Sequence, residues 1–173
     1  MAPQPLPFDP IARAEALWVQ RWGANSRHTT MAAATAIMRV QQVLLARFDA
    51  IAGGHDLTFA RYEALVLLAF SREGQLSMGR IGERLMVHPT SATNIVQRLA
   101  ARGFVERVPN PRDGRGTLAR ITESGRAAME AVTAELEAMD FGLAALSSDS
   151  VAGLSTLLRE VRLAANDFIE DPS

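Results

Sequence analysis

The sequence predicts a mainly α protein with a small β-hairpin wing: a winged helix-turn-helix set between helical segments that serve dimerisation. Three observations predict it. Apolar residues recur at helical spacing through most of the 173-residue chain. Two short helix patterns, "MGRIGERLM" and "HPTSATNIVQRLAARG", follow each other across a tight turn, and the second carries a row of small polar side chains. Directly after them, strand-like runs at 104–108 and 117–121 flank "NPRDGRG", whose Asn-Pro and Asp-Gly pairs form turns.

The elements follow in order. Residues 1–9 are Pro-rich and predict a disordered tail. Residues 10–56 predict N-terminal helices for dimerisation. Asp9 or Pro10 opens the first, with Ile11, Ala14, Trp18 and Trp22 on one stripe as far as Gly23. The second runs from near Arg27 to Ile51, with Ile37, Val40, Val43, Leu44 and Phe48 at helical spacing. Residues 57–122 predict the winged helix. Thr58 is a suitable N-cap for "FARYEALVLLAFSRE", which Gly74 closes, and Ser77 caps the next helix, turning Met78, Ile81 and Leu85 inward. Pro89 suits a first helical turn and Gly103 a left-handed C-cap, with Ala92, Ile95, Val96 and Leu99 as the buried stripe. Residues 123–170 predict C-terminal helices, again for dimerisation. Thr122 caps a helix over 123–146 with Met129, Val132, Leu136, Met139 and Leu143 on one side; "SSDS" breaks it, and a last helix runs to about Ile169.

Composition narrows the function classes. At 48% hydrophobic and 21% charged, the chain is an ordinary globular one. It has no cysteine, hence no disulfide framework and no thiolate chemistry. No apolar run reaches bilayer length, the start lacks the layout of a signal peptide, and a cytoplasmic protein with no membrane partner is expected. No Gly-rich phosphate loop, triad signature or HExxH is present, so the reading is not an enzyme, and no cofactor is expected. Net charge is −1, but its distribution is uneven. From Arg98 to Arg126 seven arginines stand against three acids, whereas from Ala127 to the end nine acids stand against Arg159 and Arg162. Such segregation predicts a basic working surface. All 18 basic residues are arginine, for which a GC-rich coding sequence is the simplest cause.

The chemistry points to double-stranded DNA. Opposite the buried stripe, Thr90, Asn94 and Gln97 align at i, i+4 and i+7, flanked by Ser91 and Arg98. Asn and Gln bond adenine edges bidentately, Thr and Ser adapt to several bases, and Arg98 reaches phosphate or guanine. A hairpin tip cannot bury Arg112 and Arg115; over a phosphate backbone, or in a narrow minor groove, both have partners. Asp113 would orient a guanidinium by charge-assisted bonds. Separately, the polar row could be a wetted helix face and the wing a charged turn; adjacent and in this order, they favour DNA.

These motifs resemble the MarR family of transcriptional regulators. The resemblance spans roughly residues 35–165, and its specific part is "LSMGRIGERLMVHPTSATNIVQRLAARGFVERVPNPRDGRGTLARITESGRAAME", with Asp113-x-Arg115 in the wing and "ITESG" after it. It implies an obligate homodimer with intertwined first and last helices and two winged helices free for a palindromic operator. It also implies repression relieved by a small, often phenolic or aromatic, effector. By position, Thr90, Ser91, Asn94, Gln97 and Arg98 would face the major groove and Arg115 the minor groove. In a urate-responsive branch of that family, Trp18, Glu63 and Arg107 have counterparts in comparable places; Ile95, where that branch has arginine, argues against an anionic purine.

An aromatic effector is expected near Trp18, Trp22, His28, Tyr62 and Arg107, where amphipathic rings and one cation could hold it; packing of the tryptophans on a dimer core is the competing reading. His55, Asp56 and Glu63 could hold a metal, but scattered histidines without cysteine read as surface residues, and no metal is assigned. Two alternatives to a DNA-binding repressor stay open: a winged-helix protein–protein interaction module, and a helical dimer that stores a metal or ligand.

Overall fold

The computed structural model describes residues 5–111 and 116–170. The chain divides between residues 49 and 50 into two compact units.

The first unit is helical. Helix α1 spans Pro10–Trp22. The Asp9 carboxylate caps it by accepting from the Ile11 and Ala12 N–H groups at 2.8 and 3.3 Å, and Pro10 takes the first turn, where no N–H is needed. Gly23, at φ +83°, ends it. Helix α2, His28–Gly53, runs from this unit into the next. Its start is tied to α1 by His28 Nδ1 and Glu15 Oε1, 2.7 Å apart. Most of its predicted stripe lies uncovered in the single chain: Ile37, Val40 and Val43 are each about half exposed, and Met38 is 67% exposed.

The second unit holds the core. Helices α3 (Phe59–Ala69), α4 (Met78–Arg84), α5 (Pro89–Ala101) and α6 (Glu123–Ala138) surround a three-stranded antiparallel sheet, β1 (Gln75–Ser77), β2 (Val105–Pro109) and β3 (Thr117–Ile121), in the order β1-β3-β2. Leu65, Leu68, Ile81, Val96, Leu99, Val132 and Leu136 are fully buried. Each such side chain stabilises the fold by roughly 1.5–3 kcal/mol relative to exposure. Helix α7, Ser148–Ala164, has no buried residue.

Four differences from the sequence reading have local causes. Helix α3 stops at Ala69 instead of running to Gly74: the Ser71 hydroxyl donates to the Leu68 carbonyl at 2.7 Å, and Gly74, at φ +66°, turns the chain into β1. Thr58 precedes α3 in extended conformation but makes no side-chain cap. The strand β1 went unread because three residues carry too little periodicity; it forms by pairing Leu76 with Ala119 on distant β3. Helix α6 ends at Ala138, well before residue 146, because Asp140, Phe141 and Gly142 adopt left-handed conformations and a short 3-10 turn replaces it. Among the described residues, no helix is long and apolar enough to cross a membrane.

Candidate nucleic-acid interface

Helix α5 presents the polar row because its other face is fixed. Ala92, Val96 and Leu99 are buried and Ile95 half-buried, so Thr90, Ser91, Asn94, Gln97 and Arg98 emerge into solvent together. Its crossing with α4 is close: a Cβ at Gly82 would stand 3.3 Å from the Val87 carbonyl oxygen and 3.5 Å from the Ala92 Cβ. The turn between them closes with the Val87 N–H donating to the Gly82 carbonyl at 3.0 Å.

The N-cap of α5 is His88, which sequence reasoning did not assign. Its Nδ1 accepts from the Thr90 N–H at 3.3 Å, and the Thr90 hydroxyl stands 3.2 Å from it. A histidine before Pro-Thr-Ser is a weak cap signal, since capping is dominated by Ser, Thr, Asp and Asn.

Strands β2 and β3 pair from Val105–Ile121 to Pro109–Thr117, and the Asn110 N–H donates to the Gly116 carbonyl at 3.0 Å. Arg112, Asp113 and Arg115 lie outside the described residues. The arginines of α5, its C-cap and the sheet fall into two groups. Arg120, on the central strand, donates to Glu106 Oε1 at 3.2 Å and to Gln75 Oε1 at 3.3 Å, clasping both neighbouring strands. Arg102 pairs with Asp56 at 3.0 Å. Arg98 and Arg107, both exposed, have no carboxylate partner among the described residues.

The wing is anchored by the segment that follows it. The Thr122 N–H donates to the Phe104 carbonyl, its hydroxyl donates to the Gly103 carbonyl at 2.7 Å, and the same oxygen accepts from the Gly125 N–H at 3.1 Å. Ser124 adds a second hydroxyl bond to the Gly103 carbonyl, at 3.0 Å. A Cβ at Gly125 would collide with the Phe104 carbonyl oxygen. The paired motifs "RGFVER" and "ITESG" are therefore two halves of one joint, which holds the end of α5, the root of β2 and the start of α6 together.

The residues expected around an effector fall in both units. In the first, the Trp18 and Trp22 rings meet at 4.3 Å between centroids, Trp22 being 59% exposed, and His28 pairs with Glu15. In the second, Tyr62 is buried with its hydroxyl 3.0 Å from that of Thr133, and Arg107 lies exposed on β2 opposite Ala119. Glu63, on α3, has its carboxyl pKa raised by burial. His55 lies 2.7 Å from Glu135 Oε1, and Asp56 is taken by Arg102, so neither is arranged around a common metal position with Glu63.

Comparison with known proteins places this geometry. A model of the MarR family matches residues 55–116. The multiple antibiotic resistance protein MarR of Escherichia coli is 32% identical over 109 residues, 61% of this chain and 74% of that one. An uncharacterised HTH-type transcriptional regulator of Mycobacterium bovis is 36% identical over 90 residues; the match covers 52% of this chain and 59% of that protein's length, so this chain spans little more than half of it. Among solved structures, a MarR family transcriptional regulator from Streptomyces coelicolor matches with a TM-score of 0.76 at 55% identity, over 82% of this chain and 99% of that one. A mutant E. coli MarR complexed with operator DNA matches with a TM-score of 0.67 at 28% identity, over 74% of this chain and 91% of that one.

Proposed function

This chain belongs to the MarR family of transcriptional regulators, and from that premise we propose that it works as a homodimeric DNA-binding repressor, released from a pseudo-palindromic operator by a small aromatic or phenolic effector. The observation that carries the DNA reading is the exposed row of α5. Thr90, Ser91, Asn94, Gln97 and Arg98 share one wetted face, and the helix carries no acid to repel phosphate. That the E. coli relative was solved on operator DNA supports the same reading.

In this mechanism the N-terminal part of α5 enters the major groove, where Asn94 and Gln97 read base edges and Thr90 and Ser91 adapt to them. Arg98 adds a contact to guanine or phosphate. The wing arginines act alongside: Arg115 enters the adjacent minor groove, Arg112 meets the backbone, and Asp113 orients a guanidinium. Two copies joined through their helical segments set two recognition helices about 10 bp apart or a multiple of that. An effector releases DNA only by preferring a different spacing of the two winged helices. Trp18 and Trp22 supply the fluorescence that would report its binding in a screen of phenolic acids.

The test titrates the parent, Asn94→Ala and Arg115→Ala against operator and scrambled duplex at several salt concentrations. Arg115→Ala is expected to weaken both duplexes by roughly 1–3 kcal/mol, with a salt slope shallower by about 1, whereas Asn94→Ala weakens operator more than scrambled DNA. Parent binding that ignores salt and sequence would overturn the reading.

A further inference from the structure

Beside the wing root, α4 and the turn after α3 enclose an open groove of about 690 Å³. Three arginines from separate stretches line it: Arg72 from the turn, and Arg80 and Arg84 one helical turn apart on α4. All three are exposed, and none has a carboxylate partner among the described residues. One acid, Glu73, also lines the groove, but its Oε2 accepts from Gln75 Nε2 at 2.7 Å, and Gln75 in turn holds Arg120. Glu73 makes no ion pair with Arg72, Arg80 or Arg84.

We propose that this groove holds the DNA phosphodiester backbone beside the recognition site, with Arg72, Arg80 and Arg84 as its phosphate contacts. The assignment rests on the DNA-binding reading above and extends it to residues outside the recognition helix and wing tip. Three features select the occupant. The groove adjoins the wing and the helix that precedes α5, since Asn110 and Pro111 of the wing root line one side and α4 the other. In a helix-turn-helix the first helix crosses the backbone while the second enters the groove, and α4 is that first helix. The groove is open to solvent and polar, which suits a hydrated polyanion passing along it and does not suit an apolar effector that must be desolvated. Guanidinium forks match phosphate oxygens in bidentate geometry, and each contact releases condensed counterions.

The placement also explains a feature of the local sequence. Arg72 stands in a turn fixed at both ends: the Ser71 hydroxyl is bonded to the Leu68 carbonyl at 2.7 Å, and the Gly74 N–H donates to the Ser71 carbonyl at 3.1 Å. An arginine there projects from a constrained backbone, so less ordering is lost when it meets a phosphate.

The experiment uses duplexes recovered from genomic fragments by the parent protein, then rebuilt with a neutral methylphosphonate at one backbone position at a time. The parent is expected to lose roughly tenfold in affinity at one or two flanking positions outside the bases read by α5. The double variant Arg80→Ala, Arg84→Ala is expected to bind roughly ten- to a hundredfold more weakly, with a salt slope shallower by about 1 per contact. It is also expected to show no further loss at those neutralised positions. Base preference stays that of the parent, and Arg80→Lys with Arg84→Lys regains most of the salt slope because the charge returns. Thermal melting checks that the exposed substitutions leave the fold intact. If the parent binds operator with a steep salt slope and the double alanine variant keeps its affinity and slope, the groove assignment falls while the DNA reading stands. If the variant weakens but still responds to every neutralised phosphate as the parent does, the arginines act only as a diffuse field and the contact is refuted. If the parent recovers no fragment and shows no salt dependence, the DNA reading fails, and this assignment with it.

Discussion

The winged helix and the helical segments outside it satisfy their side chains in opposite ways. The winged helix closes its apolar residues into a core, with Leu65, Leu68, Ile81 and Leu99 fully buried, and leaves Arg72, Arg80, Arg84, Arg98 and Arg107 without carboxylate partners among the described residues. Helices α2 and α7 differ in their apolar faces. Their apolar side chains stay open, Met38 at 67%, Leu157 at 62% and Val161 at 58% exposure. At their ends His28 meets Glu15, Arg159 pairs with Glu170 at 3.0 Å and Arg162 with Asp167 at 2.7 Å, while Arg39 and Arg47 of α2 have no carboxylate partner among the described residues. Unmatched cations fit a polyanion, and unmatched apolar faces fit a second copy of the chain. The clearer contrast is in apolar exposure, which is what the proposed second copy would cover; net charge, at −1, says little.

The comparison breaks most severely at the joint of the winged helix. Gly125→Ala sets a methyl group against the Phe104 carbonyl oxygen, a backbone atom also held by the Thr122 N–H. Neither side can move without losing the Thr122 bonds that anchor α6. The cost is expected at or above the upper end of the ~1–3 kcal/mol typical of overpacking. Leu99→Ala, at a fully buried position of α5, is expected to cost about 2–5 kcal/mol. Urea unfolding of both variants measures it. A Gly125→Ala protein as stable as the parent would show that the joint is looser than its geometry.

Next in size is the apolar face of α2. Val40 and Val43 are 50% and 47% exposed in the single chain. Val40→Asp with Val43→Asp places charge where a second copy is proposed to bury the stripe, and sedimentation is expected to shift from dimer to monomer or aggregate. Operator affinity then falls, because one half-site remains per molecule. An unchanged dimer would remove α2 from the interface and leave its exposed stripe unexplained.

How legible all this was depends on the range of the interactions. The helix positions followed from periodicity and caps: Asp9, Ser77 and Thr122 cap through their side chains, as their types predict. The strands β2 and β3 were legible because they are sequence neighbours. Strand β1 was not, since only its pairing with β3, 45 residues on from Gln75 to Arg120, makes three residues a strand. The exposure of the polar row was legible because the buried stripe of α5 dictates the opposite face. The sorting of arginines was not. Seven arginines lie between Arg98 and Arg126, yet Arg102 and Arg120 are taken by Asp56 and Glu106, while Arg72, Arg80 and Arg84, outside that window, have no carboxylate partner among the described residues. Charge density along a chain does not know which charges fold onto each other.

A subtler contrast concerns the two faces of α5 itself. Asn94→Ala and Arg98→Ala remove exposed side chains from the face opposite Val96 and Leu99, so unfolding free energy is expected to stay within about 0.5 kcal/mol of the parent. DNA binding, by contrast, changes. A thermal shift as large as that of Leu99→Ala would mean that the row belongs to the core after all.

The smallest expected effect separates a charge that the winged helix tolerates from those it uses. Glu63 lies on α3, and burial raises its carboxyl pKa. A raised carboxyl pKa means that the folded chain holds the proton more tightly than the unfolded one. The resulting stabilisation is complete below the ordinary glutamate range, where the acid is protonated in both states, and is lost as pH climbs through the raised value. Above that, folding carries the cost of a partly desolvated carboxylate. Glu63→Gln keeps the shape and removes the charge, so it is expected to raise the urea midpoint slightly at neutral pH. The gain shrinks to nothing as the solution is acidified through the carboxylate range. Partial exposure screens the effect and keeps it below those of the core and the α2 face. Urea midpoints of parent and variant across that range decide the matter. A variant less stable than the parent at neutral pH would mean that the Glu63 carboxylate has a favourable partner, and that this charge, like Glu106, is part of how the winged helix is held together.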